Sequence, residues 1–229
     1  HLSIRRQRQM CIRDRTCTLP PYQTASGCTD IIVHTLERYF TKPGVTSLAL
    51  TDGMAEALLR NVMRNARLAL QKPADYDVRA EIMWAGTLSH NDITGDRSQG
   101  DWASHQLEHE LGGMFDIAHG AGLAAIWGSW ARYVLKQNPC RFAQLAVNVL
   151  NVPYSFGNDE KTALEGIAAM EDFFRSIGMP TSISDMEIEL TDTQIKELAH
   201  KCSFMGRRTI GGFVTLNSAD MENIYRMAR

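Results

Sequence analysis

Apolar residues at helical spacing, separated by proline and glycine breaks, run along almost the whole of this chain. Within residues 47–72, for example, Met54, Leu58 and Val62 recur at intervals of four residues, and Pro73 ends the pattern. The same reasoning predicts helices over residues 22–40, from 47 or 52 to 72, and over 77–90, the stretch around His105, 119–137, 139–150, 159–177, 193–202 and 218–227. No segment offers a strand, a glycine-rich turn and a helix in succession, the arrangement that binds a pyrophosphate. We therefore predict an all-α, multi-helix fold.

Composition limits the classes of protein that remain. The chain has 229 residues, of which 44% are hydrophobic, and a formal net charge of -2, which predicts a soluble globular protein without a strong preference for polyanions such as nucleic acid. Its five cysteines are odd in number and lack C-x-x-C spacing, which argues against a disulfide framework or a thiolate zinc site and favours a reducing cytoplasm. No apolar run approaches the roughly 18 residues of a membrane span. We expect a cytoplasmic protein that binds neither nucleic acid nor membrane.

The first residues have a different character from the rest. Residues 1–15 contain five arginines and show no helical apolar face. They resemble translated read-through of a sequencing adapter, and we expect residues 1–17 to be non-native or disordered and to lack packing against the rest of the chain. The functional alternatives are a basic arm that binds nucleic acid and an organelle transit peptide. The folded domain is therefore predicted to span residues 18–229.

A carboxylate and an imidazole lie one helical turn apart in the first predicted helix. Asp30 and His34 are at positions i and i+4, so both project from one face of that helix toward a common point. Such a pair on a surface helix is usually a solvated polar pair. Here Ile31, Ile32 and Val33 surround it, and polar groups in apolar company need partners or a ligand.

A second histidine cluster follows further along the chain. His105 is followed by His109 one turn later and by His119 after a glycine-containing break. Together Asp30, His34, His105 and His119 predict a divalent metal site with three imidazoles and one carboxylate. Such a ligand set suits Fe²⁺, Zn²⁺ or other late divalent ions without choosing among them. His109 could line the site or only form hydrogen bonds near it.

Two other interpretations remain open at this point. The residues His105 to His109 fit the H-x-x-E-H pattern of inverted zinc peptidases, in which Glu108 would activate water. That interpretation needs a further carboxylate ligand and leaves Asp30, His34 and His119 without a role. A non-catalytic helical binding domain is the third possibility, although it gives no reason for the ligand set.

Three segments together resemble one known family. They are the stretch from Thr18 to Phe40 with Asp30 and His34 inside it, the motif His105-x-x-x-His109-Glu110-Leu111, and the motif Asp116-x-x-His119-Gly120. In residue type, order and spacing they resemble the metal-binding domain of the iron-containing alcohol dehydrogenases, close to the butanol dehydrogenase branch. The resemblance covers roughly residues 18–229 and includes the dehydroquinate synthase-like fold of that domain.

The resemblance implies a function for these residues. It implies an NAD(P)-dependent alcohol dehydrogenase or aldehyde reductase that acts on a small alcohol or aldehyde and is a homodimer in its intact form. Asp30, His34, His105 and His119 would hold one Fe²⁺ or Zn²⁺. His109 would lie beside the nicotinamide and the substrate, where a titratable imidazole is a candidate for proton relay.

Members of this family begin with a nucleotide-binding α/β domain, whereas only about seventeen residues precede the resemblance here. We therefore expect a chain that lacks the cofactor-binding domain and that is inactive as a dehydrogenase by itself.

Two further features are compatible with a substrate cleft. The loop of residues 91–101 precedes the His105 helix and could border the site. The side chains of Trp84, Trp102, Trp127 and Trp130 could line a cleft, or they could simply pack the interior.

Overall fold

The computed structural model describes residues 15–41, 48–95 and 100–229. In these ranges the regular structure is helical, and Ile210 and Leu216 form a single isolated antiparallel bridge. The prediction of an all-α fold is confirmed. Most of the predicted arginine-rich segment, residues 1–14, and residues 96–99 of the predicted loop lie outside the described residues.

The connections between the helices vary in length. In chain order the helices are α1 (Pro21–Tyr39), α2 (Ala49–Gln71), α3 (Tyr76–His90), α4 (Ala103–Phe115), α5 (His119–Val134), α6 (Pro139–Leu150), α7 (Asp159–Ser176), α8 (Asp192–Cys202) and α9 (Ser218–Ala228). Short 3₁₀ helices cover Leu135–Gln137 and Ser184–Met186. None of the helices in the described ranges is long and apolar enough to cross a membrane.

The predicted and observed helices differ most at the end of α5. The pattern predicts one helix over residues 119–137, whereas the α-helix ends at Val134 and the chain continues as the 3₁₀ helix Leu135–Gln137. Pro139 explains the change, because proline restricts the residue before it and cannot donate a backbone hydrogen bond. The Asn138 side chain then accepts a hydrogen bond from the backbone N–H of Arg141 and caps α6.

Helix α5 lies at the centre of the molecule. Almost all of its residues are buried, including Trp127 and Trp130, which are fully enclosed. It packs against α1, α4, α7 and α9. At its first turn the backbone N–H of Gly120 donates to the Ser26 hydroxyl of α1 at 3.1 Å. A Cβ atom on Gly120 would lie 2.0 Å from the Ser26 carbonyl oxygen, so only glycine permits this close approach of α1 and α5.

The entry to α4 is held by a buried carboxylate. Asp101 accepts hydrogen bonds from the backbone N–H groups of Ala103, Gly212 and Phe213 at 3.1, 3.0 and 2.7 Å. Burial, with a further contribution from the nearby charge of Glu37, raises the pKa of Asp101 to about 7. The carboxylate thereby fixes the start of the helix that carries two of the predicted site residues.

Candidate metal centre

The four predicted ligand side chains converge at the junction of α1, α4 and α5. Asp30 Oδ1 lies 3.6 Å from His34 Nε2, 3.5 Å from His105 Nε2 and 3.4 Å from His119 Nε2. A tetrahedral ion with ligand bonds of about 2.1 Å separates its donor atoms by about 3.4 Å. The spacing of these three oxygen–nitrogen pairs therefore matches three of the six edges of a tetrahedral coordination shell, those that meet at the carboxylate oxygen.

Local geometry explains the arrangement. Asp30 and His34 share one face of α1 because they are one helical turn apart. His119 is the first residue of α5, and the contact of the next residue, Gly120, with Ser26 holds this end of α5 against α1. His105 lies in the first turn of α4.

A buried carboxylate lies behind each of two imidazoles. His105 Nδ1 donates to Glu37 Oε2 at 2.5 Å, and the backbone N–H of His105 donates to Glu37 Oε1 at 3.1 Å. His119 Nδ1 donates to Glu108 Oε2. Each contact fixes a proton on Nδ1, so that the Nε2 atom, which faces Asp30, is the one that can lose its proton and bind a metal, the usual orientation of metal-bound imidazoles.

The role of Glu108 bears on the peptidase interpretation. Its side chain is 2% exposed and is engaged with the far nitrogen of His119, so it lies behind a ligand rather than beside a substrate. A carboxylate in this position orients an imidazole, and the geometry does not favour the activation of water. Sequence reasoning missed Glu37, although its position three residues after His34 puts it on the same side of α1 as the ligand pair.

His109 lies next to this centre. Its ring stacks on that of His119 with 5.4 Å between the ring centroids, and it is 6.1 Å from the ring of His105. Ligand atoms of Glu108, His109 and His119 lie within 4.8 Å of one another, as do those of the separate group Asp30, His34 and His105. His119 joins the two groups through its 3.4 Å contact with Asp30, and His109 is exposed beside them.

The charges of the centre are strongly coupled. Burial alone would raise the pKa of Asp30, but its contacts with His105 and His119 hold that pKa well below its usual range. Burial would lower the pKa of His105, whereas contacts with Asp30 and Glu37 raise it to about 9. Contacts with Asp30 and Glu108 raise the pKa of His119 to about 10. In the metal-free protein these two imidazoles therefore hold protons at neutral pH.

The other two histidines shift in the opposite direction. Burial, with the positive charge of His105, lowers the pKa of His34 to about 3. Burial is also the largest cause that lowers the pKa of His109. Both rings are therefore neutral at pH 7 and have an electron pair available.

Two atoms of the centre show that the residues suit a metal ion. Asp30 Oδ1 and His105 Nε2 are buried and have no hydrogen-bond partner. Buried polar atoms are rarely left without partners, because each costs the desolvation free energy that no bond returns. A divalent cation among these atoms would satisfy both of them. Three imidazole nitrogens and one carboxylate oxygen suit Fe²⁺ and Zn²⁺.

Three residues form the rim of the centre. The ring of Trp102 lies 5.3 Å from that of His34, and the Arg38 guanidinium lies 4.8 Å from the Trp102 ring centroid. His90, the last residue of α3, brings its Nε2 atom to 3.5 Å from Asp30 Oδ2. Sequence reasoning missed His90, and no periodicity in the sequence points to it. Of the four tryptophans considered for the cleft, Trp127 and Trp130 pack the core instead.

Comparisons with known proteins identify the family of this chain. The model of the Fe-containing alcohol dehydrogenase family, C-terminal, matches residues 24–229. The chain is 36% identical over 211 residues to the probable NADH-dependent butanol dehydrogenase 1 of Bacillus subtilis, which covers 92% of this chain and 53% of that protein. It is 34% identical over 214 residues to the NADPH-dependent aldehyde reductase YqhD of Escherichia coli, which covers 93% of this chain and 54% of that protein.

A solved structure shows the same similarity. The crystal structure of the NADH-dependent butanol dehydrogenase A of Thermotoga maritima superposes with a TM-score of 0.86 at 30% identity, covering 94% of this chain and 54% of that one. The chain thus spans about half the length of the curated relatives that it matches.

Proposed function

The chain belongs to the iron-containing alcohol dehydrogenase family, and from this membership we propose that it supplies the metal centre and one wall of the substrate cleft of an NAD(P)-dependent alcohol dehydrogenase or aldehyde reductase. The substrate class is a small alcohol or aldehyde. The ligands of the metal are Asp30, His34, His105 and His119, and the metal is Fe²⁺ or Zn²⁺.

The convergence of four donor side chains from three helices is the observation that carries this proposal. Asp30 Oδ1 faces three imidazole nitrogens at 3.4 to 3.6 Å, and it has no hydrogen-bond partner. Neither a surface polar pair nor a non-catalytic helical domain accounts for an unpartnered carboxylate oxygen surrounded by imidazoles.

The chain's own residues would divide the work of catalysis. When bound, the divalent ion supplies positive charge that polarises a carbonyl or hydroxyl oxygen of the substrate. Glu37 and Glu108 hold His105 and His119 in the tautomer that directs Nε2 inward. His109, exposed beside His119 with a lowered pKa, is available to accept or donate a proton at its imidazole nitrogen.

The nucleotide is supported by family membership alone. The printed names of the relatives include both NADH- and NADPH-dependent enzymes. In residues 15–41, 48–95 and 100–229 no strand, glycine-rich turn and helix follow one another. We therefore propose NAD(P)H as the cofactor and His109 as the residue nearest to it, and we derive no other contact with the nucleotide.

Metal analysis of the purified chain tests the proposal. After incubation with Zn²⁺ or Fe²⁺ and removal of excess ion, we expect one ion per chain, and Asp30→Ala should lose it. The matched control is Asp172→Ala, which removes an exposed carboxylate that pairs with Arg175 on α7. Equal metal content in Asp30→Ala and wild type would overturn the proposed ligand set.

Activity is tested separately. The chain joined behind the amino-terminal half of a longer relative should oxidise NAD(P)H when an aldehyde is added, and Asp30→Ala should abolish this oxidation. The 229-residue chain by itself should bind the ion without such turnover. Activity that is the same in wild type and Asp30→Ala would separate the reaction from this centre.

A further inference from the structure

Three arginines lie along one face of α2. Arg60, Arg64 and Arg67 are at positions i, i+4 and i+7 of this helix, so their side chains project in a similar direction. All three residues are exposed. Like charges one helical turn apart destabilise a helix. The arrangement therefore costs free energy unless an anion lies against it.

The contacts of these arginines are with neutral groups. Arg60 donates to the Asn148 carbonyl oxygen at 2.5 Å, and Arg67 donates to the Ser176 hydroxyl oxygen at 3.2 Å. Among the residues that the structure describes, Arg64 has no hydrogen bond or ion pair, and none of the three arginines forms a salt bridge with a carboxylate. Their positive charges are therefore available to a ligand.

The arginines border a groove with an apolar floor. The groove has a volume of about 570 Å³ and lies between α2, the end of α6 and α7. Gln71 and Asn151 add polar groups to it, and no aspartate or glutamate of the described residues lines it. The Arg67 guanidinium lies 4.9 Å from the centroid of the buried Phe173 ring. The apolar lining residues are Met63, Leu68, Val149, Leu150, Ala169 and Phe173. We call this site the arginine groove.

From this combination of charge and apolar surface we propose that the arginine groove binds a small phosphate ester with an apolar organic part. Guanidinium groups match phosphate oxygens in geometry and bind them with charge-assisted hydrogen bonds. A phosphate monoester carries a charge of about −1.5 to −2 at pH 7, which two arginines balance. The apolar floor would cover the organic part of the ligand. The volume of the groove lies in the range of about 300–1,000 Å³ that is typical of small-molecule sites.

The arginine groove is separate from the metal centre. Its lining comes from α2, α6, α7 and the residue after α6, whereas the proposed metal ligands lie on α1, α4 and α5. The proposal therefore does not rest on the metal. We expect a phosphate ester to bind equally well when a chelator keeps the chain free of divalent ions.

Calorimetric titration of the purified 229-residue chain with phenyl phosphate tests the proposal. We expect phenyl phosphate to bind at least tenfold more tightly than inorganic phosphate, which lacks the apolar part, or benzyl alcohol, which lacks the charge. Arg64→Ala should weaken phenyl phosphate binding by about tenfold or more, the scale of one hydrogen bond to a charged group. Because Arg64 is exposed, this variant should not lower the thermal unfolding midpoint. The matched control is Arg226→Ala, which removes an arginine from α9, outside the groove, and should bind phenyl phosphate as wild type does.

A second variant tests the floor of the groove. Ala169→Met places a larger apolar side chain there and should weaken the binding of phenyl phosphate while leaving that of inorganic phosphate unchanged. The proposal is wrong if wild type does not bind millimolar phenyl phosphate, or binds it no more tightly than inorganic phosphate or benzyl alcohol. Equal affinity for phenyl phosphate in wild type and Arg64→Ala would place the ligand elsewhere on the chain and would also overturn the proposal.

Discussion

Replacing Glu37 by glutamine should weaken metal binding although this residue touches no metal. In wild type its two oxygens each accept one hydrogen bond from His105, at 2.5 Å from Nδ1 and 3.1 Å from the backbone N–H. The side chain is 1% exposed, so water does not substitute for either bond. Glutamine keeps the size of the side chain but offers one oxygen and one NH₂ group.

Both placements of the glutamine amide are unfavourable. If the NH₂ group faces Nδ1, the ring must accept there, and its proton moves to Nε2, where it removes the electron pair that would bind the metal. If the NH₂ group faces the backbone N–H of His105, two buried donors meet, at a cost of about 1–3 kcal/mol. Loss of such an outer partner lowers metal affinity by about 10–100-fold, which corresponds to about 1.4–2.7 kcal/mol. We expect Glu37→Gln to fall in this range.

The assay is competition for Zn²⁺ between the chain and a chromophoric chelator, with thermal unfolding measured in parallel. Glu56→Gln is the matched control, because Glu56 is also buried and accepts hydrogen bonds from Tyr39 and Asn148 at 3.0 and 2.9 Å, away from the ligands. This control should lower thermal stability and leave Zn²⁺ affinity unchanged. If Glu37→Gln binds Zn²⁺ as tightly as wild type, the orientation of His105 is set by its helix alone and the reasoning is refuted.

Four more predictions concern protons and packing. Because the pKa values of His105 and His119 are raised to about 9 and about 10, Zn²⁺ binding at neutral pH should release about two protons, measured as a dependence of calorimetric heat on buffer. In the metal-free chain the raised pKa values of His105 and His119 also stabilise the fold. This contribution is complete below pH 6.5, the ordinary histidine pKa, and should be lost as the pH rises through about 9 to 10. Gly120→Ala should lower the free energy of unfolding, measured by urea titration, by about 1–3 kcal/mol, because the new methyl group would collide with the Ser26 carbonyl oxygen. An unchanged urea midpoint would contradict this packing. The pKa of Asp101 is raised from 3.8 to about 7, so between these pH values the folded state keeps a proton that the unfolded chain loses. The free energy of unfolding should therefore fall as the pH rises from about 4 to about 7. Asp101→Asn should remove this part of the pH dependence.

Short-range patterns explain why much of the site could be predicted from the sequence. Asp30 and His34 lie on one helix at a spacing that brings them together whatever surrounds that helix. His105 and His119 lie in the first turns of two consecutive helices, α4 and α5. The positions of helices follow from the same local periodicity and from proline and glycine breaks. Extending that periodicity along α1 would also have found Glu37.

Long-range packing determines what the sequence did not reveal. His90 reaches the centre because the end of α3 lies beside α1, and no spacing within the sequence encodes that contact. The burial of Trp127 and Trp130, as against the position of Trp102 at the rim, follows from the rotation of α5 and α4 in the folded molecule. The residue type alone does not indicate which of these tryptophans is buried and which lies at the rim of the centre.

Two glycines, one on α4 and one on α5, show how packing controls the chemistry of the centre. A Cβ atom on Gly122 would lie 2.7 Å from both Cγ and Oε1 of Glu108, and one on Gly112 would lie 2.9 Å from the same Oε1. These two glycines, one on α5 and one on α4, provide the space in which the Glu108 side chain is buried. Because Glu108 reaches His119 only through that space, a larger side chain at either position would displace the carboxylate and release the imidazole from its tautomer. Gly112 and Gly122 are therefore required for His119 to be held in its metal-binding form.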